Sequence, residues 1–316
     1  MKQIGIGIHN YAGANHHLPG NHTPWGVNWY WSWMAFITPY IDQQPVWDEA
    51  TATANYQLAT QVNFDPWSIG SAVPGYPNAV AGQGNPALGA AQVWNICPAD
   101  PRGITGVVIN NPNLYGFYGV SGPIAFTMYM GNSGTHGGSG CCWDQTWTTP
   151  ETPSYWGGGS PGPTFDGVIF VDSQVTFPQI SDGTSNTLMV GERPPSQDLN
   201  LGWWFAGWGY NGTSTGDNVL GSSEIYFVAS GTITNLNQAT GADSAPNPPC
   251  NANNVGLQPG SFNNPCDEIH YWSNHQGGAN FLYCDGSVHF LTYSANSVLP
   301  AMATRAGNEI FPFPDD

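Results

Sequence analysis

His275 and the dipeptide Asp285-Gly286 are separated by nine residues, and His289 lies just beyond them. Imidazole titrates near neutral pH, so a histidine in such a cluster can serve as a general base or as a metal ligand. A base needs something to activate, and no serine or cysteine stands beside His275 in the sequence. The sequence therefore assigns His275 a positioning role, with metal ligation as the alternative. It would hydrogen-bond a backbone group or a carboxylate and fix the loop that leads to Asp285-Gly286. His9, His16, His17 and His22 place four imidazoles within 14 residues. They lack the i, i+4 spacing on a clear helix that a shared ion favours, and they read as exposed or loop-stabilising. Gly212 to Gly216, GTSTG, formally matches the nucleophile elbow Gly-x-Ser-x-Gly. That motif needs a buried strand before it and a helix after it. An aromatic run precedes this one and DNVLGSSE follows, so it reads as a turn.

The charges narrow the partners. The chain carries 4 Lys+Arg against 21 Asp+Glu, a formal net charge of −17. Such a surface repels nucleic acid and anionic membranes. Divalent cations are its natural counter-charge, and the hard oxygen donors that calcium takes are plentiful in DGTSN (182–186) and NNPCDE (263–268), although no EF-hand spacing occurs. The basic residues are Lys2, Arg102, Arg193 and Arg305. Arg193 and Arg305 are expected to partner acidic groups that hold the C-terminal segment onto a sheet.

Six cysteines, Cys97, Cys141, Cys142, Cys250, Cys266 and Cys284, include no Cys-x-x-Cys pair, which leaves a zinc ribbon or c-type haem without support. With almost no lysine and with Asn-x-Thr sequons at Asn21 and Asn211 as candidate glycosylation sites, the chain reads as an exported protein with disulfides. Cys250 and Cys266 can close one polar loop, while adjacent Cys141 and Cys142 would bridge to different partners. Spacing alone does not fix the connectivity. The N-terminus lacks the basic start and apolar run of a signal peptide, so export information is expected upstream of Met1 or already removed.

The elements that must position these residues are short. The 41 glycines and 27 prolines favour turns and brief strands over long helices. Ile4, Ile8 and Tyr11 share helical spacing, so residues 1 to about 12 read as the end of an amphipathic helix stopped by Gly13. SWMAFITPYID (32–42) forms a second short helix ended by Pro39, and 50 to 65 is helix-compatible. From residue 97 onward the texture is β-rich, with strand signals at 114–130, 166–180, 186–192, 201–210, 223–230, 280–285 and 288–293. Breaker-rich stretches at about 131–163 and 233–266 read as long insertions in a single domain, 1–316. Asp285-Gly286 supplies the positive φ angles of a type I′ hairpin, and Asp182-Gly183 repeats the device between two apolar runs. Seven of the 14 tryptophans lie in WGVNWYWSWMAF (25–36) and GWWFAGWGY (202–210), dense enough for a core or a subunit interface. Stacking on sugars is the other use of such rings.

MKQIGIGIHNY (1–11), CPADPR (97–102), DGVIF (166–170), ISDGTSNTLMVGERP (180–194), HQGGANFLYCDGSVHFL (275–291) and LPAMATRAGNEI (299–310) occur in this order. Together they resemble the planctomycete family of pilin-like proteins that carry a domain of unknown function and a His-x9-Asp-Gly C-terminal motif. The resemblance implies a prepilin-type N-terminus whose long apolar helix would precede Met1. A pilin-like α+β domain would follow, with a short helical part and then an antiparallel sheet with loop insertions, similar to type IV pilins and type II secretion pseudopilins. Pseudopilins use calcium to stabilise a loop, so by resemblance Asp182 and Asp267 are candidate calcium ligands; no cofactor is required. The expected protein is a non-catalytic, extracellular or cell-surface structural subunit. It would self-associate into a filament or surface assembly, be exported through a type IV pilus or type II secretion-like route, and meet the membrane only through the upstream helix. The alternative is a monomeric carbohydrate-binding or adhesive module with surface glycans as partners.

Overall fold

In the computed structural model, which describes residues 1–21, 31–52, 86–102, 108–110, 123–135, 165–195, 199, 201–207, 214–223 and 255–310, short segments between residues 129 and 292 pair into a five-stranded sheet. Strands β1 (Val108–Asn110) and β2 (Pro123–Ala125) form a separate antiparallel pair. The main sheet contains β3 (Tyr129–Gly134), β4 (Leu188–Glu192), β5 (Val219–Gly221), β6 (Gly278–Tyr283) and β7 (Val288–Thr292). Their order is β5-β3-β4-β6-β7, antiparallel throughout except for the β3–β5 pair. The chain is thus α+β with a mostly antiparallel sheet.

Successive side chains of a strand point to opposite faces, and both faces of this sheet are covered. Leu282 joins Ile4, Ile8, Trp33 and Val190 in one core cluster. Its neighbours Phe281 and Tyr283 join Leu291, Leu299 and Met302 in the other. The first face is covered by α1 (Lys2–Asn15), where Ile4, Ile8 and Ala12 recur at helical spacing and are buried. The helix passes Gly13 and ends at His16, whose φ is 66° and whose N–H donates to Ala12 O. Gly13 has open space around it and stays helical.

Ser32 caps α2 (Trp33–Ile37), its hydroxyl accepting from Ala35 N at 3.2 Å. Pro39 does not break the chain direction but sits in the 3-10 turn Thr38–Tyr40, where its missing N–H costs nothing. Next come α3 (Gln44–Ala52) and, near the C-terminus, α4 (Leu299–Ala303) on the second face. The remainder of the helix expected over 50–65 lies outside the described residues. No helix among the described residues is long and apolar enough to cross a membrane.

Three expectations change. The run 166–180 is not a strand: it makes bends and a 3-10 turn, Phe177–Gln179, while burying Phe165, Val168, Ile169, Phe170 and Val171. A continuous apolar run signals burial, and burial alone does not choose an extended backbone. Within 201–207 only isolated bridges form, Phe126 with Trp203 and Trp31 with Ala206. Residues 131–134, expected to open an insertion, complete β3. There the buried Asn132 donates from Nδ2 to Leu188 O and Ala303 O at 2.8 and 2.7 Å, so a polar residue stitches β3, β4 and α4. The strand signal at 223–230 and the residues 136–164, Cys141 and Cys142 among them, lie outside the described residues except for Ser223.

Candidate functional site

Two Asp-Gly turns close one end of the sheet. In the β6–β7 hairpin Gly286 N donates to Tyr283 O at 2.9 Å and Tyr283 N to Ser287 O at 2.9 Å. Gly286 has φ 85° while Asp285 stays at negative φ, so the loop is a three-residue turn ending in a glycine bulge rather than type I′. Asp285 Oδ1 accepts from Ser287 N at 2.8 Å. Asp182-Gly183 is a turn but not a hairpin, since a 3-10 turn precedes it. Gly183 (φ 96°) donates to Ile180 O, and Asn186 Nδ2 and Thr187 Oγ1 donate to the carbonyls of Asp182 and Gly183. The turns dock on each other through Asp285 N to Thr184 O at 3.0 Å.

Asp182 faces the C-terminal segment: its carboxylate accepts from Gly307 N at 2.7 Å and Asn308 N at 2.9 Å. Asp267 accepts from Ser261 N at 2.7 Å and Asn264 Nδ2 at 2.8 Å and lies 3.0 Å from His270 Nε2. Both carboxylates are thus engaged by N–H donors. Arg305 reaches carbonyl oxygens instead of the expected carboxylates, donating from Nη1 to Phe165 O and Gly167 O. Arg193 is fully buried, and that burial holds its pKa below the usual value against the opposing charges of Glu268 and Asp217. It donates to Gly216 O and to Met130 Sδ. Asn21 is fully buried with Oδ1 accepting from Trp33 N at 2.8 Å, a placement that leaves no room for a glycan. Asn211, His22 and Cys250 lie outside the described residues. Cys266 is disulfide-bonded, whereas Cys97 and Cys284 are free and buried.

At the other end of β6 three separated segments converge. The HQGG stretch turns sharply before β6. Gly277 takes φ 86°, and a Cβ on Gly278 would lie 2.0 Å from Leu291 O. His275 N donates to Ser273 Oγ at 3.0 Å, and that hydroxyl donates to Gly278 O at 2.8 Å, which fixes the backbone that carries the imidazole. Glu192 ends β4 with its side chain 2% exposed, and its Oε2 accepts from Asn280 N at 2.7 Å and Asn280 Nδ2 at 3.1 Å. Cys97 begins the CPADPR turn, its N–H donating to Met128 Sδ and its carbonyl accepting from Asp100 N. Arg102 grips Asp100 with Nε and Nη2, donates from Nη1 to Pro195 O at 2.7 Å, and lies 3.9 Å over the Phe262 ring. The turn is thereby tied to the chain just beyond β4.

These supports bring His275 Nε2 to 3.3 Å from Cys97 Sγ and 3.5 Å from Glu192 Oε1. The three ligand atoms all lie within 4.8 Å of one another. Burial, then the charge of Glu192 and a hydrogen bond to it, push the Cys97 thiol up to about 12. An activated nucleophilic cysteine has the opposite shift. The carboxylate nearest to the His275 ring nitrogen in this cluster is that of Glu192. Cys97 and Glu192 were not singled out by spacing, though both stand in blocks quoted above, CPADPR and ISDGTSNTLMVGERP. A cavity of mixed character, lined among others by Asp166, Pro300, Ala301, Arg305 and Glu309, has no aromatic ring among its described lining residues on which a sugar can stack.

The family model SBP_bac_10, described as a protein of unknown function (DUF1559), matches residues 1–297. No curated protein and no solved structure matches the chain.

Proposed function

The chain belongs to the DUF1559 family, and from that premise we propose that it is an exported, non-catalytic structural subunit of pilin-like architecture that associates with copies of itself into a filament or surface assembly. The observation that carries this reading is the docking of α1 on the sheet. Ile4 and Ile8 are fully buried, and Gly5 lets the helix come so near β6 that a Cβ there would stand 2.9 Å from Leu282 Cδ1. A helix seated in this way anchors the globular part to whatever extends from its N-terminal end, which is how a pilin-type subunit joins its assembly. The disulfide at Cys266 fits an oxidising compartment. Trp31, Trp33, Trp204 and Trp272 are buried core residues, which removes them as sugar-stacking platforms. No cofactor is required in this reading, and calcium at Asp182 or Asp267 would add to loops already closed by N–H donors.

Sedimentation velocity over a range of concentrations, with electron microscopy of the same samples, tests the proposal. Concentration-dependent oligomers or filaments are expected. A monomer at every concentration that binds a glycan array, and loses that binding on a single tryptophan change, would replace the structural subunit by a carbohydrate-binding module.

A further inference from the structure

We propose that Cys97, Glu192 and His275 form a binding site for a zinc-class divalent transition-metal ion, with one coordination position open to solvent. The inference is independent of the assembly reading and rests on geometry and donor chemistry.

Both Cys97 Sγ and Glu192 Oε1 face the same imidazole nitrogen, Nε2 of His275. That nitrogen carries at most one proton, so it cannot hydrogen-bond both neighbours as a donor at once. In a cysteine–histidine–carboxylate relay the carboxylate would sit on Nδ1, the far side of the ring. An ion placed between the three atoms satisfies all of them together. With metal–sulfur near 2.3 Å and metal–nitrogen near 2.0–2.1 Å, tetrahedral ligand atoms stand about 3.5 Å apart. The observed separations from Nε2 are 3.3 Å to sulfur and 3.5 Å to oxygen.

The donor set and its surroundings point the same way. Thiolate and imidazole select zinc and its neighbours, whereas calcium takes hard oxygens. Glu192 is nearly fully buried, and its one ion pair among the described residues is with His275; no arginine or lysine among them balances its charge, and the Met1 ammonium that feels that charge makes no ion pair with it. A buried carboxylate in that position is costly without a cation. Its second oxygen is held by the two N–H donors of Asn280, which leaves Oε1 aimed at the cluster. Metal sites orient their carboxylates with outer hydrogen bonds of this kind. Cys97 and Glu192 are buried, but the His275 side chain is 35% exposed, so the fourth position faces solvent on the His275 side, where a water completes a four-coordinate ion.

The test uses the full chain, unreduced, stripped with a chelator and titrated with cobalt(II). A cobalt–thiolate charge-transfer band saturating at one equivalent is expected, absent in Cys97→Ser. In His275→Asn and Glu192→Gln the affinity should fall by more than the roughly 10- to 100-fold that loss of an outer supporting residue costs. Zinc should raise Tm of the wild-type chain, because an ion that binds only the folded state stabilises it, and should not raise Tm in the variants. Should Cys97→Ser fail to fold, the half-exposed His275→Asn, with its fold checked by circular dichroism, decides alone. No band in the wild-type chain, or a band of unchanged affinity in His275→Asn, overturns the site.

Discussion

Arg305 donates from Nη1 to Phe165 O at 2.6 Å and to Gly167 O at 2.9 Å, while its own carbonyl accepts from Asp182 N and its N–H donates to Asp166 O. One residue thus fastens the segment after α4 to the bend at 165–167 and to the Asp182-Gly183 turn. Hydrogen bonds from a charged donor are worth roughly 1.5–3 kcal/mol when lost, and partial exposure places this pair near the lower end. Arg305→Ala should cost about 2 kcal/mol, a fall of about 3 °C in Tm for a chain of this length, measured by calorimetry. An unchanged Tm would remove Arg305 as a fastener. The sequence reading expected acidic partners for Arg193 and Arg305, and the hydrogen bonds of both go to backbone carbonyls, with Met130 Sδ a further partner of Arg193. A planar guanidinium suits carbonyl oxygens as well as carboxylates, and nothing in local sequence distinguishes the two. Arg193 shows the other extreme: wholly buried, with Glu268 and Asp217 supplying the field that opposes its loss of charge.

At the scale of elements, the HQGG turn and the Asp-Gly hairpin bracket β6 and so set where His275 points. The hairpin was legible because a glycine flanked by apolar runs has few other uses. Its turn type was not, since Asp285 at negative φ satisfies the same dipeptide preference. The convergence of Cys97, Glu192 and His275 was illegible for a different reason: they lie in three blocks far apart in the chain, joined only by the pairing of β4 with β6 and by the Arg102 clamp. The two glycines separate conformation from space. Gly277 has a positive φ with nothing near its absent Cβ, so Gly277→Ala should cost only the left-handed strain of about 1–2 kcal/mol. Gly278→Ala drives a methyl into the backbone oxygen of Leu291 on the neighbouring strand and should cost more, about 3 kcal/mol or above. Denaturant melts of the two variants check this order. Equal losses would mean that the β6–β7 pairing gives way easily at its open end.

Across the whole molecule the net charge of −17 and the scarcity of ion pairs act together. Among the described residues the only ion pair that does not depend on a protonated histidine is Arg102 with Asp100. There is therefore little attraction for salt to screen and much repulsion. The Debye length is about 30 Å at 0.01 M and about 10 Å at 0.1 M, so moving between these ionic strengths quiets repulsion across most of a subunit. Tm should rise as sodium chloride increases over that range, because self-repulsion opposes the compact state. The same argument bears on the proposed assembly: two such subunits would repel each other at low salt and would have to be joined by apolar burial. Association followed by sedimentation should accordingly strengthen with salt. If it weakened instead, charge complementarity between subunits rather than apolar burial would be holding them together. The two slopes are separable, since Tm at high dilution reports the single chain and sedimentation reports the contact between chains.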